Sequence, residues 1–376
     1  MDYLKISADD HIDLGYLPKD LWLDRVPRAL RARAPHVEDR GEAGESWVCE
    51  DFTWGDYRGE RFFAKPDRNR SALDRLGMAE PGRPTTPDKR LEDMDRDGIE
   101  ASLMFPPIIE LHIEDPALRN ACVSAYNDWA IEFAAASPAR FFPVAALSPV
   151  DPTAAADELL RIAKGARLKE VAFLVNDVTT DLYLEPWDRF WDLAEETGMI
   201  VSYHVGGSLQ SNTLRGRRTS LAGTKRVPAF DLGAGNAGGA FLESFVNLFS
   251  FGTLERHPNL RFVLAESGTG WIPYVVQEMD YRLQKETGLK GTSMLSERPS
   301  DIFRRQVWAT YQADLVGLNL VDFFGDGHML WASDYPHADG TWPYSDEVVK
   351  RETAHLSDGV RRKILRDNAI ALFGLA

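Results

Sequence analysis

HMLWASDYPH, residues 328–337, opens on a short apolar run, closes it on Asp334 and turns away through Pro336. The same pattern recurs in LKISADDHID (residues 4–13), MIVSYHVGG (199–207) and RFVLAESGTGW (261–271). Those stretches deliver Asp9 and His11, His204, and Glu266 at the ends of β-rich runs, ahead of turn residues. When strand ends supply the polar groups and helices separate the strands, chemistry collects at one mouth of a parallel α/β structure. The pattern predicts an enzyme.

Apolar runs left through turn residues mark further strands at 101–105, 141–147, 170–175 and 306–310, for eight in all. Helical patterns lie between them. Residues 117–136 keep Ala121, Ala125, Trp129 and Phe133 on one face at four-residue spacing. Pro152 and Pro186 each sit where a first helical turn tolerates a missing N–H, and Gly198 stops a helix just before the next strand. Later helices are expected near 240–249, 271–286 and 360–372. Strands alternating with helices over 376 residues predict a single (β/α)8 TIM-barrel domain, α/β in class, rather than a doubly wound sheet.

Composition narrows the partners. Hydrophobic residues at 44% and charged residues at 27% are ordinary for a globular protein. A net charge of −15 argues against nucleic acid and anionic membranes, whose charge would repel it. No apolar run approaches the ~20 residues needed to cross a bilayer. Asp9, Asp10, Asp13 and Asp20 near the start predict no secretory leader. Cys49 and Cys122 are far apart and in no ligand spacing, which predicts two reduced thiols in a cytoplasmic protein.

Two connections exceed simple crossovers. Residues 13–98 carry Trp22, Trp47 and Trp54 among several prolines, and are expected to pack over the barrel mouth as a lid or subdomain. Residues 206–239 are Gly-rich and hold Arg215, Arg217, Arg218, Lys225 and Arg226, a basic cluster that either meets an anionic substrate or is a solvated loop.

Residues two apart on a strand share a face, so Asp9 and His11 are expected to point into the barrel and Asp10 away. One Asp-x-His pair is a weak signal. Its weight comes from His204, Glu266 and Asp334 reaching equivalent positions on other strands. Imidazoles and carboxylates brought to one mouth satisfy each other best by holding a cation.

The segments SADDH, PKDLW, YHVGG, HPNLRFVLAESGTGWIPY and WASDYPH, spread over residues 7–337, resemble the amidohydrolase-related family. The similar branch includes aminocarboxymuconate semialdehyde decarboxylase and the resorcylate decarboxylases. The resemblance implies a barrel that binds one divalent metal ion, with Asp9, His11, His204 and Asp334 as ligands and Glu266 as a further candidate. The lysine that bridges two metals in binuclear relatives should close the fourth strand, where this chain has Val175, Asn176 and Asp177. The family histidine of the sixth strand is replaced by Glu266. An ionised carboxylate cannot donate hydrogen bonds as that histidine does. A homodimer or larger homo-oligomer is also implied.

Two reactions on a small-molecule substrate, carboxylated or aromatic, fit these residues. In hydrolysis of a C–N, C–O or activated C–C bond beside a carbonyl, a metal-bound water attacks and Asp334 or Glu266 takes its proton. In non-oxidative decarboxylation of an aromatic or dienoic acid, Asp334 protonates the carbon that loses carbon dioxide. Glu266 puts hydrolysis first. Zinc is the expected ion, with Mn2+ or Fe2+ compatible. His337 is a further catalytic candidate. Arg217 and Arg218 could clamp a carboxylate, and Trp271 and Trp342 could wall the pocket. His257 is expected away from the chemistry.

Overall fold

The structure is a computed structural model and describes residues 4–57, 72–78, 80, 82–107, 113–165, 167–174, 181–205, 241–291, 293 and 295–375. Strand β1 (Lys5–His11) is followed by a small antiparallel sheet of β2 (His36–Asp39), β3 (Glu45–Cys49) and β4 (Phe52–Asp56). Strands β5 (Ile99–Phe105), β6 (Phe141–Pro143), β7 (Ala145–Ala146) and β8 (Glu170–Leu174) come next. The series ends with β9 (Ile200–His204), β10 (Phe262–Ala265), β11 (Val307–Tyr311) and β12 (Met329–Trp331). All pairings outside the β2–β4 sheet are parallel, in the order β1-β5-β6 and β7-β8-β9-β10-β11-β12.

The third expected strand, over 141–147, is interrupted at Val144, whose N–H still reaches Met104 O at 2.8 Å. Pro143 has no N–H to offer, so the ladder changes partner there. Strand β12 ends sooner than expected, at Trp331, and the chain beyond it closes the barrel against β1. Asp334 N donates to Asp9 O at 2.9 Å and His11 N to Tyr335 O at 2.7 Å. This is the α/β TIM barrel expected from the strand–helix alternation.

Several helices start or stop at the boundary residues that the sequence marks, while the helix expected near 360–372 is divided into Asp358–Arg362, Lys363–Asp367 and Asn368–Phe373. The carboxylate of Asp115 accepts from Ala117 N and Leu118 N ahead of helix Pro116–Ala134, and Asp151 caps Pro152–Ala163 through Ala154 N. Gly198, with φ 68°, ends Asp188–Thr197 in the left-handed conformation that favours glycine.

Apolar side chains inside the barrel, among them Ile6, Ala8, Leu103, Val263 and Leu330, join Leu372 and Phe373 in one buried cluster. The helix Asn368–Phe373 therefore closes the end opposite the chemistry, and Arg261 Nη1, beside the start of β10, fixes Leu372 O at 3.0 Å. The larger cluster lies between strands and outer helices and includes Trp22, Trp47, Trp187 and Trp191. Trp47 ties the β2–β4 sheet to the segment after β1 by donating from Nε1 to Leu14 O at 2.9 Å and packing edge-on against Trp22. Among the described residues, no helix is long and apolar enough to cross a membrane.

Candidate metal centre

Strand β1 does more than alternate. Ile6 and Ala8 belong to the barrel's interior cluster, yet Asp9 and His11 also face inward. A regular strand cannot place residues 8 and 9 on one face. The register against β5 supplies the reason: Ser7 pairs with Ser102 and Asp10 with Met104, so β1 holds one residue more over this stretch. This bulge turns the acidic pair over. Asp9 and His11 then meet the other strand ends, and Asp10 points away as expected.

The ends of β10 and β12 use a second device. Glu266 (φ 53°) and Asp334 (φ 58°) adopt left-handed backbone conformations, at a cost of ~1–2 kcal/mol for a non-glycine residue. Glu266 N is held by Thr310 Oγ1 at 2.7 Å, and the same hydroxyl donates to Asp9 Oδ2 at 3.0 Å. Thr310 thus ties β1, β10 and β11 together at the mouth. Sequence reasoning missed it; its inward position near the end of β11 was the available signal.

Asp9, His11, His204 and Asp334 are all buried. His204 Nε2 lies 3.3 Å from Asp9 Oδ1 and 3.6 Å from Glu266 Oε2, while Nδ1 is fixed at 2.5 Å by Val205 O. That second contact orients the ring so that Nε2 faces the carboxylates. His11 Nε2 is 3.6 Å from Asp9 Oδ1 and 3.0 Å from Asp334 Oδ1. Candidate donor atoms converge within 4.8 Å in two overlapping groups: Asp9, His11 and His204; and His11, Glu266, Asp334 and His337.

Among the described residues, neither His11 nitrogen and neither Asp334 oxygen has a hydrogen-bond partner, although all four atoms are buried. Orphaned buried polar atoms are costly. A divalent cation would satisfy one His11 nitrogen and the Asp334 carboxylate together, so the donor set fits the expected ion.

The charges are mutually dependent. Burial, reinforced by His337 and His204, holds the His11 imidazole well below its ordinary value. Burial opposes charge on His204, but Asp9 and Glu266 push it up to about 9. For Glu266, burial and then Asp334 push the carboxyl up to about 8; its side chain is 24% exposed, so solvent tempers the rise. His337 is raised well above its usual value against the effect of burial, by Asp334 and Asp13.

A second buried network supports this one from outside the barrel. Asp10 Oδ1 accepts from Ser7 Oγ at 2.7 Å, Ser333 Oγ at 2.5 Å and Tyr335 N at 3.1 Å. Its Oδ2 accepts from Ser102 Oγ and from Arg90 Nη2, the latter at 3.2 Å. Arg90 also donates to His11 O at 3.0 Å and stacks over the Tyr335 ring at 4.5 Å. Below the site, on the barrel's inner face, Ser202 donates to the buried Glu170, whose carboxyl burial pushes up to about 8.

The loop after β12 approaches its own strand closely. A Cβ on Gly340 would stand 2.4 Å from Ser333 O and 2.9 Å from Asp334 O, backbone atoms that cannot swing aside. Gly340→Ala is expected to destabilise the protein by about 1–3 kcal/mol and to lower activity by displacing Asp334. Denaturant unfolding alongside steady-state assay checks this; unchanged values for both would contradict the close approach.

Trp271 precedes helix Ile272–Lys290, donates from Nε1 to Ser267 O at 3.0 Å and packs edge-on against Phe245. Trp342 is buried against Tyr335 and donates to Asp93 O at 2.9 Å. Both indole N–H groups therefore serve the scaffold. His257 ends the helix Thr253–Arg256 ahead of β10, away from the mouth. Arg217 and Arg218, and the 175–177 stretch, lie outside the described residues.

The sequence profile of the amidohydrolase family matches residues 45–375. The chain belongs to that family of enzymes. Among characterised proteins it is similar to the gamma-resorcylate decarboxylase of Polaromonas sp. (strain JS666), 27% identical over 307 residues, spanning 77% of this chain and 87% of that one. An amidohydrolase from Mycobacterium avium subsp. paratuberculosis K-10 shares the fold with a TM-score of 0.74 at 24% identity, over all of both chains. A dihydroxybenzoic acid decarboxylase from Polaromonas sp. JS666, solved with bound manganese and the inhibitor 2-nitroresorcinol, gives a TM-score of 0.68 at 19% identity. That match covers 99% of this chain and 97% of the other. The decarboxylase relatives favour the carboxy-lyase alternative over the hydrolysis that Glu266 put first.

Proposed function

We propose that this protein is a metal-dependent carboxy-lyase that releases carbon dioxide, without oxidation, from an aromatic acid carrying a hydroxyl beside its carboxylate. The observation that carries the reading is the buried convergence of Asp9, His11, His204 and Asp334 at the barrel mouth. Similarity to gamma-resorcylate decarboxylases over 77% of the chain supports it. These four residues would hold the ion, with Glu266 beside them. Manganese, bound in the similar dihydroxybenzoic acid decarboxylase, replaces zinc as the ion we propose, since imidazoles with carboxylates suit either.

A bound divalent cation supplies a Lewis acid for the substrate's carboxylate and the adjacent oxygen. The chain's own residues do the rest. Asp334, in its protonated form, presents its carboxyl O–H to the reacting carbon; the O–H bond breaks as the carbon takes that proton, the C–C bond to the carboxylate breaks, and carbon dioxide leaves with Asp334 as the carboxylate. His337 Nδ1, 3.0 Å from Asp334 Oδ1 on a side chain 29% exposed, is placed to return a proton from the mouth.

Hydrolysis is the second reading, and Glu266 favours it: a partly exposed carboxylate with a raised pKa can take a proton from water. Manganese-loaded enzyme offered 2,6-dihydroxybenzoate, 5-carboxyvanillate and a set of amides and lactones separates the two. Carbon dioxide release with one solvent deuteron at the vacated ring position supports the carboxy-lyase. Product labelled from ¹⁸O-water without carbon dioxide sinks it.

Glu266→Gln is expected to lower turnover about 10²-fold with metal content retained, because the charge facing His204 and the ion is lost. Full turnover with full metal, by kinetics and elemental analysis, would mean that Glu266 neither binds nor moves a proton.

A further inference from the structure

Asp13 occupies the N-cap position of the short helix Leu14–Tyr16, yet its side chain does not cap that helix. The carboxylate crosses instead to the far end of the barrel sheet, where Oδ1 lies 3.2 Å from His337 Nε2, 324 residues away in sequence. The other ring nitrogen, Nδ1, is 3.0 Å from Asp334 Oδ1. One face of the ring stacks on His11, with centroids 3.8 Å apart and planes 24° from parallel. His337 follows Asp334 in a tight turn closed by His337 N to Asp334 O at 2.8 Å.

An imidazole in a loop has two ring orientations and two neutral tautomers, and only some combinations present Nδ1 to Asp334. The stack on His11 fixes the plane of the ring but not its flip. A carboxylate at Nε2 fixes both the flip and the site of the N–H, as outer-sphere carboxylates do for ligand histidines. Asp13 is 16% exposed, so the contact is largely screened from water that would weaken it.

We propose that Asp13 is a positioning residue for this site: acting through His337, it holds the imidazole so that Nδ1 faces Asp334. It touches neither the substrate nor the ion. The inference rests on the carboxy-lyase reading for the chemistry that Asp334 and His337 serve. The contact itself can be tested without it.

The test uses full-length, manganese-loaded enzyme with Asp13→Ala, which removes the acceptor, and Asp13→Asn, which keeps an acceptor oxygen of the same shape. Asp13→Ala is expected to lower kcat about 10- to 100-fold with KM for the aromatic acid nearly unchanged and manganese still stoichiometric. Asp13→Asn should recover most of that loss. Independently of turnover, diethyl pyrocarbonate should modify His337 faster in Asp13→Ala than in wild type, read by peptide mass spectrometry. If the alanine variant fails to fold, Asp13→Glu displaces the carboxylate by one methylene and should show the same two changes.

Wild-type kcat and wild-type reactivity of His337 in the alanine or glutamate variant would overturn the assignment, as would equal losses in the alanine and asparagine variants. A wild-type enzyme inert toward every aromatic acid sinks the carboxy-lyase reading alone, and the modification rate at His337 still decides the role of Asp13.

Discussion

Replacing Asp334 with asparagine is expected to reduce turnover about 10³-fold or more, within the range for loss of a positioned proton-transfer group, while leaving the fold intact. Asparagine tolerates the left-handed backbone that this position requires (φ 58°), so the substitution carries no new strain. It is nearly isosteric, which matters for a side chain only 1% exposed. The variant loses the negative charge shared with His11 and His337, each 3.0 Å from Oδ1, and any capacity to deliver a carboxyl proton. Steady-state kinetics with circular dichroism checks both halves. Turnover within tenfold of wild type would remove Asp334 from the chemistry.

The largest expected effect on stability comes from outside the barrel's inner surface. Arg90→Ala should cost about 3–5 kcal/mol, because it leaves the buried Asp10 carboxylate without its cation and frees the carbonyl of His11. The loss should also depend on pH. Burial already raises Asp10 above the usual carboxylate range, and Arg90 is the main influence pulling it back. Without Arg90 the folded-state pKa rises further above the unfolded value. A carboxyl raised on folding contributes stability while protonated and loses it as pH climbs through the folded pKa. Urea unfolding of the metal-free variant should therefore show a smaller deficit near pH 5 than near pH 8. The double variant Arg90→Met with Asp10→Asn should recover part of the loss. A deficit that is constant across this pH range would mean that Asp10 is not the group left exposed to the change.

Much of the barrel was legible because each strand announces itself twice, once as an apolar run and once as the polar residue that ends it. The stretch 199–207 contains β9, Ile200–His204, which ends on the histidine that the pattern singles out, and Pro152, Pro186 and Gly198 mark helix ends through conformational limits that hold in any context. The site's membership was legible for the same reason: Asp9, His11, His204, Glu266 and Asp334 are read from local patterns and meet in space. What escaped has no local signature. Nothing in ISADDH reports that β1 carries an extra residue between Ser7 and Asp10. Simple alternation gave the right faces for Asp9 and His11 without revealing that Ala8 shares them. Arg90 reaches Asp10 across 80 residues and Asp13 reaches His337 across 324, and such pairings are fixed only by the closed sheet. Trp271 and Trp342 carry a second constraint that the sequence pattern does not show. An aromatic residue near a strand end suggests a pocket wall, while its indole N–H needs a carbonyl, and in both cases the scaffold provides it.

The extra residue in β1 also fixes the length of that strand. Were the same residues to pair without that bulge, regular alternation from Ala8 onward would turn everything downstream to the opposite face. Asp10 would swing into the cavity and His11 out toward Arg90. The two acidic neighbours Asp9 and Asp10 are chemically alike but geometrically opposed, and one unpaired peptide unit determines which of them serves the reaction and which anchors the wall.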